Sequence, residues 1–465
     1  MDQRLTVVIL AAGLGTRMNS RKAKVLHKAG GLTLVEHVVN TAVELTTPER
    51  VVVVVGHQAA QVQATLAVSQ VRFALQTEQK GTGHALAVCA GAVPDQSGLT
   101  IVLYGDGPLM SAATLRDLVD KHQSSGAAAT LITTILEDPT GYGRILLDPA
   151  GNVDAIVEEK VVTPEQRAMR LINSGIYCFN SELLWKYLPQ LKANPVSKEY
   201  YLTDFVEILN RAGHKVRPYQ HPDPNELMGI NTRLELAVVD KIFRERKVRQ
   251  LMLDGVTIER PETVTIDMQV KIGMDTVVGP FTQILGATVI GEDCVIGAGS
   301  IIKNSHVAEN VEISPYTMID DSHLEKKAAA GPFARLRMNA HVEAEAHIGN
   351  FVELKKTRLG AGAKAMHLAY LGDSTIGAKT NIGAGTITCN YDGAKKHQTT
   401  IGAGAFVGSN STLVAPVEVG EGSYIAAGSV ITSAVPPDAL AIGRGRQENK
   451  EGWAKRRREK TAAKL

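Results

Sequence analysis

Cysteine is scarce in this chain. Four stand in 465 residues, at Cys89, Cys178, Cys294 and Cys389, without the spacing of a metal knuckle or a disulfide framework. No apolar run approaches the ~20 residues of a membrane helix. Neither sign of charge prevails: the formal net charge is +2, which argues against a general binder of nucleic acid or membrane. The start, Met1-Asp2-Gln3-Arg4 before Val7-Val8-Ile9-Leu10, is too short and wrongly flanked for a secretory signal, so a cytoplasmic protein is expected. With 44% hydrophobic and 21% charged residues, the length suits two or three soluble domains.

Glycine, by contrast, is plentiful at 43 residues. Much of it attends a repeat. Ile272, Val278, Ile284, Ile290, Ile296 and Ile302 recur every six residues, four of them followed at once by Gly273, Gly279, Gly291 and Gly297. Small residues (Thr276, Thr282, Thr288, Cys294, Ser300) stand four positions after most of them. Neither a helix nor an ordinary strand has this period. It describes a chain that turns a corner every few residues, with the aliphatic side chain inward, the small one filling the remaining space, and glycine supplying backbone conformations closed to other residues. The pattern fades near Ala308 and Ser314, then returns as Ile376, Ile382, Ile401, Val407, Leu413, Val419, Ile425 and Ile431. A parallel β-helix over most of residues 255–435 is predicted. The hexapeptide pattern resembles that of the left-handed β-helix family, many of whose members are acyltransferases, but fold alone does not give function.

Upstream, short apolar runs (7–10, 51–55, 71–74, 101–103, 130–135) alternate with helical patterns. Continuous β-branched runs such as 51–55 suit strands covered on both faces, hence a Rossmann-like parallel sheet between helices, with ligands at the strands' carboxyl ends. After the first run stands Leu10-Ala11-Ala12-Gly13-Leu14-Gly15-Thr16-Arg17-Met18, and Lys24 follows. Small residues let backbone N–H groups approach phosphate while Arg17 and Lys24 bring positive charge; the alternative is a tight turn without ligand. Met18 replaces the third glycine of the dinucleotide fingerprint, and the Walker spacing is absent. Asp106, after Tyr104-Gly105, is either an oxygen ligand for Mg²⁺ or a turn residue or helix cap. Asn231 precedes Thr232-x-x-Glu235, a capping box opening a helix to about Leu253, and by itself is only a helix-start residue. That helix divides the chain into 1–231, a linker 232–252, and 253–465.

The glycine-rich segment followed by Lys24-Val25-Leu26-His27 resembles the signature of sugar-nucleotide pyrophosphorylases, although Ala23 stands where that family usually has proline. The resemblance extends over residues 76–85, 104–106, 138–144, 156–160, 172–177 and 199–204. It implies a nucleotidyltransferase domain in which Leu10, Ala11, Ala12, Gly13, Arg17, Lys24, Tyr104, Gly105 and Asp106 meet UTP or UDP-N-acetylglucosamine. Gln76, Gly81 and Thr82 would read the uracil, and the backbone of Gly143, Glu158 and Asn173 the sugar. Asn231 would join Asp106 on Mg²⁺. In isolation Gly143, Glu158 and Asn173 read equally as turn or surface chemistry.

In a regular scaffold, departures from the repeat are where functional side chains belong. Residues 331–337, 349–356, 367–373 and 381–393 resemble, in the same order, the acetyl-transfer half of the family of bifunctional N-acetylglucosamine-1-phosphate uridyltransferases and glucosamine-1-phosphate N-acetyltransferases. The resemblance covers nearly the whole chain. It implies His367 as general base, since histidine titrates nearest neutrality, with Glu353 as a possible orienting partner. Arg337 and Lys355 would bind the sugar phosphate, and Tyr370, Asn381 and Asn390 the sugar. Ala384, Asn390, Tyr391, Ser409, Ala427 and Arg444 match positions around acetyl-CoA. UTP and acetyl-CoA are the implied co-substrates, and a homotrimer built through the β-helices the implied assembly. A histidine on a β-helix can also be purely structural. Residues 390–397 break the hexad, so a loop should project there. The run Lys455-Arg456-Arg457-Arg458, without interleaved aromatics, reads as a solvated tail near the phosphates of coenzyme A or a neighbouring subunit rather than a nucleic-acid site. Two rivals stand beside this reading: a β-helix serving only oligomerisation, and a non-enzymatic assembly subunit.

Overall fold

Every residue of the valine run Val51–Val55 is buried, as is every residue of Leu5–Leu10, because both faces of their sheet are covered. The computed structural model describes residues 4–195 and 197–463. It separates into two units, Met1–Arg244 and Glu245–Leu465, and the division falls inside the helix Arg233–Leu253. In the first unit the main strands lie in the order, by first residue, Val216, Ala129, Leu171, Leu99, Leu5, Val51, Arg72. All run parallel except Leu171–Asn180, which is antiparallel to both its neighbours. The sheet is therefore mixed rather than wholly parallel. The same strand shifts register between Asn173 and Tyr177 and pairs at Ile172 and Asn173 with Gly143–Leu147. Asn173 is thereby set beside Gly143.

The second unit is a left-handed parallel β-helix of three sheets, with 11, 10 and 9 short strands. Like residues stack coil on coil: Ile290 on Ile272, Val307 on Ile290, Leu324 on Val307. The coil does not lapse where the hexad fades. Ile302 and Val307 are both fully buried but five residues apart, and the same shortening recurs from Ile319 to Leu324, Leu354 to Leu359 and Leu371 to Ile376. One residue is missing from one corner, which shifts the phase of a six-residue count without disturbing the ladder. The 390–397 insertion forms a small hairpin, with Tyr391 bridged to Lys396.

The glycines that follow the inward residues need a different explanation from the expected one. They do not adopt left-handed backbone; instead a Cβ on Gly273 would stand 2.6 Å from the backbone N of Glu292, and one on Gly291 2.7 Å from that of Glu309. They allow coils to stack closely. Left-handed corners lie two residues later and are carried mainly by side-chain-bearing residues such as Asp275, Phe281, Asp293, Asn310 and Tyr316. The four cysteines are free, and among the described residues no helix is long and apolar enough to cross a membrane.

Candidate active sites

In the first unit two cavities open side by side at the carboxyl ends of the parallel strands, sharing Tyr104, Asp106, Thr82 and Tyr201 in their walls. One, of about 540 Å³, is lined by Leu10, Ala11, Ala12, Gly13, Arg17, Lys24, Gln76, Gly81 and Thr82. The other, of about 310 Å³, is lined by Gly143, Glu158 and Asn173 together with Tyr142, Thr203 and Glu226. The candidates from the glycine-rich turn and those from the 143–173 region thus occupy neighbouring chambers. Gly105 sits against the turn: a Cβ there would come within 3.1 Å of the Ala11 side chain.

Charge concentrates where the chambers meet. Lys24 Nζ forms a salt bridge with Asp106 Oδ2 and donates to Asn231 Oδ1 at 3.2 Å, while Arg17 donates to the same oxygen at 2.8 Å. Asp106 and Asn231 converge because the backbone N–H of Ile230 donates to the Asp106 carbonyl at 2.9 Å. The capping box holds the other side: Glu235 accepts from the N–H groups of Asn231 and Thr232 at 2.6 and 2.7 Å. Two oxygen ligands facing one ammonium form a donor set of the hard kind that Mg²⁺ prefers, so these residues fit the ion. Burial, then the charges of Glu158 and Asp106, push the Tyr104 hydroxyl well above its ordinary value, keeping it a neutral donor.

Ala23, where proline was expected, keeps a proline-compatible φ of −56°. Its N–H, which proline would lack, donates to Gln58 Oε1 at 2.8 Å, and Gln58 Nε2 donates to the Arg21 carbonyl at 2.6 Å. Gln58 fastens the loop before Lys24, a long-range contact that local sequence reasoning had no means to see. Thr203 was also missed as a specific contact; its hydroxyl donates to Glu158 Oε1 at 2.9 Å. Asn173 donates to the Tyr177 hydroxyl at 2.9 Å and accepts from Gly175 N at 3.0 Å, which fixes the orientation of its amide.

In the β-helix, register stacks Arg337, Lys355 and Gly372 on successive coils, with Glu353 beneath Tyr370. Arg337 Nε donates to Glu353 Oε1 at 2.6 Å. Glu353 is therefore engaged by Arg337 and does not orient His367. That role falls to Asn350, directly beneath His367 in the ladder, whose Oδ1 lies 2.8 Å from His367 Nδ1. With Nδ1 donating, Nε2 keeps its lone pair. Lys355, buried, donates to Asp373 Oδ2 at 2.6 Å, and Asn390, also buried, donates to the same carboxylate oxygen. Burial opposes the charges of both, but their hydrogen bonds and mutual attraction hold the Lys355 ammonium above its ordinary pKa and the Asp373 carboxyl below its own. Asp373 lies in the segment 367–373, where the sequence alone gives it no role.

The remaining candidates group by position. Ala384, Ser409 and Ala427 follow inward residues at the same corner of successive coils, and Arg444 donates to the Ala427 carbonyl at 3.0 Å. Tyr391 is exposed on the hairpin, its hydroxyl donating to the Gly393 carbonyl at 2.6 Å. Asn381 stacks on Lys364, three residues before His367, rather than on His367 itself.

Residues 6–223 match the family described as nucleotidyl transferase. Residues 269–304 and 398–433 match bacterial transferase hexapeptide (six repeats). The chain is 57% identical over 458 residues to the bifunctional protein GlmU of Solibacter usitatus (strain Ellin6076), covering 98% of each protein. It is 47% identical over 460 residues to that of Koribacter versatilis (strain Ellin345), again 98% of each, and 46% identical over 453 residues to that of Geobacillus thermodenitrificans (strain NG80-2), covering 97% and 98%. Two transferase regions in this order, over nearly the full length of such relatives, place the chain in the bifunctional GlmU family, which joins a nucleotidyltransferase to a hexapeptide acetyltransferase for the synthesis of UDP-N-acetylglucosamine.

Proposed function

We propose that the β-helix acetylates glucosamine 1-phosphate and the sheet domain then joins the product to UMP, with the named side chains in the following roles. Arg337 and Lys355 bind the sugar phosphate, while Tyr370, Asn381 and Asn390 hold the sugar. The 2-amino group attacks the thioester carbon of acetyl-CoA as its C–S bond breaks, and His367 Nε2 takes the proton, held in position by Asn350. Coenzyme A lies along the corner of Ala384, Ser409 and Ala427, with Tyr391 and Arg444 at its ends. The observation that carries this reading is the His367–Asn350 pair at 2.8 Å, with Arg337 and Lys355 stacked on successive coils of another sheet of the same β-helix.

In the sheet domain an oxygen of the sugar phosphate attacks the α-phosphorus of UTP and the bond to pyrophosphate breaks. Asp106 and Asn231 would hold Mg²⁺, which when bound supplies charge neutralisation for the phosphates. Arg17 and Lys24 bring two further positive charges, the backbone of residues 10–13 approaches the phosphates, Gln76, Gly81 and Thr82 read the uracil, and Gly143, Glu158 and Asn173 fix the sugar. Catalysis here is positioning and electrostatic stabilisation. The cytoplasm, where these substrates are made, is the compartment that suits the reaction.

A homotrimer through the β-helix accords with a ridge of exposed apolar side chains at one corner: Phe281, Tyr316, Phe333, Phe351 and Leu368, with the rings of Tyr316, Phe333 and Phe351 stacked. The ridge ends beside His367. The test is an assay of the intact protein with glucosamine 1-phosphate, acetyl-CoA, UTP and Mg²⁺, omitting each in turn, with the molar mass measured in the same buffer. UDP-N-acetylglucosamine should form only with all four, from a particle of three chains. Formation without acetyl-CoA, or a monomeric active particle, would overturn the corresponding part.

A further inference from the structure

The sheet of the β-helix that carries His323 stacks three histidines. His306, His323 and His341 occupy the same outward position on successive coils. The rings of His306 and His323 are stacked at 4.7 Å, whereas the His341 ring is turned 86° to that of His323. Glu325, which also points outward past the buried Leu324, reaches up one coil: its Oε1 lies 2.8 Å from His341 Nε2 and its Oε2 accepts from the backbone N–H of Ala344 at 3.1 Å. His323, His341 and Glu325 are all half-buried, and the two histidines line a groove bounded by Asp321, Asn339 and Lys356. None of them belongs to either transfer site.

The next coil shows what a purely structural version of this arrangement looks like. Glu343 accepts from the N–H of Ala361 at 2.9 Å and pairs with Arg358, which stacks directly on His341. Arg358 completes the clamp but offers no lone pair. One coil lower, the clamp is built from a histidine, with a second histidine beneath it. From this difference we infer that His323, His341 and Glu325 form a binding site for a late first-row divalent ion of the Zn²⁺ class. Their ligand atoms lie within 4.8 Å of one another, the only such trio of histidine, cysteine and carboxylate ligands among the described residues. Two nitrogens on one Zn²⁺ stand ~3.4 Å apart, a closure that rotation of half-buried side chains supplies. Two imidazoles and a carboxylate favour Zn²⁺, Co²⁺ or Ni²⁺ over Mg²⁺ or Ca²⁺, and three protein ligands leave a fourth position open to the groove. The backbone bond from Ala344 holds the carboxylate in place, as a second partner does for ligands in built metal sites.

The test uses the full-length protein, stripped with EDTA and returned to buffer containing millimolar Mg²⁺ so that the oxygen site at Asp106 is not the one titrated. Zn²⁺ binding is followed by calorimetry, and Co²⁺ binding by its visible ligand-field absorption. Wild type should take up one ion per chain at this site. His341→Arg should lower the affinity at least ~100-fold while leaving the thermal melt of the metal-free protein nearly unchanged, because the Glu343–Arg358 pair shows that the clamp accepts arginine there. His323→Ala should weaken binding similarly. His367→Ala should leave it intact, which separates this site from the acetyl-transfer histidine. Absence of saturable binding in wild type, or binding that survives in folded His341→Arg, would overturn the assignment.

Discussion

The two site-bearing regions use similar side chains and assemble them in opposite ways. In the sheet domain the touching partners are remote in sequence: Arg17 and Lys24 meet Asn231 across 214 and 207 residues. In the β-helix, Arg337 meets Glu353, His367 meets Asn350 and Lys355 meets Asp373 at separations of 16, 17 and 18, about one coil. A parallel coil makes the next turn's side chain a neighbour automatically, so its site is a ladder that the backbone already holds. A sheet offers only strand ends, and each loop there must be fastened by contacts of its own, such as the Glu235 capping box or the Gln58 clamp.

If the ladder and the loop site are chemically separate, single substitutions should divide the activities cleanly. Asp106→Ala should lower uridyl transfer by at least ~10²–10³-fold, as expected when a group that neutralises transition-state charge is lost, with acetyl transfer by the same preparation unchanged. His367→Ala should do the reverse, lowering acetyl-transfer kcat by ~10²–10⁴-fold, the usual worth of a general base, with uridyl transfer intact. Parallel loss of both activities in either variant, measured on protein whose circular dichroism matches wild type, would break the comparison.

The same contrast explains what could be read in advance. The hexad pattern marked the coils directly, since each inward residue is a sequence signal; it lost count at Val307 because one shortened corner changes the phase while the fold continues. In the sheet domain the turn 10–18 and the strand ends were visible as local patterns, but the convergence of Asp106 with Asn231 depends on the bond from Ile230 N to the Asp106 carbonyl, which no local pattern encodes. The antiparallel course of Leu171–Asn180 was hidden for the same reason: its direction is set by pairing with Leu99–Tyr104 and Ala129–Ile135, not by its own residues. Glu353 was a plausible partner for His367 by proximity in sequence. The ladder instead sets Glu353 beneath Tyr370 and Asn350 beneath His367, a distinction that needs the coil register.

The sheet domain should also lose stability in acid. Burial lowers His122, in the helix Ala112–Ser125 of the sheet domain, to about 4. In the unfolded chain its ordinary value is about 6.5. A depressed folded value means the unfolded state binds the proton first, so the stabilisation is complete above pH ~6.5 and is lost as pH falls toward ~4, an interval worth ~3 kcal/mol. His37, buried in the same domain, is lowered for the same reason and adds to the slope. Denaturant unfolding followed separately for the two regions should show the sheet domain weakening across that range. His122→Gln should flatten its slope there. An unchanged slope in the variant would mean that His122 is not the group responsible.

The smallest effect probes the fastening itself. Gln58→Ala removes the two bonds that hold residues 21–23, each worth ~1 kcal/mol net, so KM for UTP should rise about fivefold while kcat for uridyl transfer and both constants for acetyl transfer change little. Adding Ala23→Pro should recover much of the loss, because φ at Ala23 is −56°, within the range the proline ring imposes, and the ring restricts the unliganded loop without needing the Gln58 bond. In the wild-type background the same proline should be nearly neutral: it deletes the N–H that Gln58 accepts but keeps the backbone shape that the bond secures. If Gln58→Ala leaves KM for UTP unchanged, the loop is held by something else. If proline fails to rescue a real defect, Gln58 acts through its bond to the Arg21 carbonyl rather than through Ala23, and the exchange of a ring for a hydrogen bond at this position is not the compensation that the geometry describes.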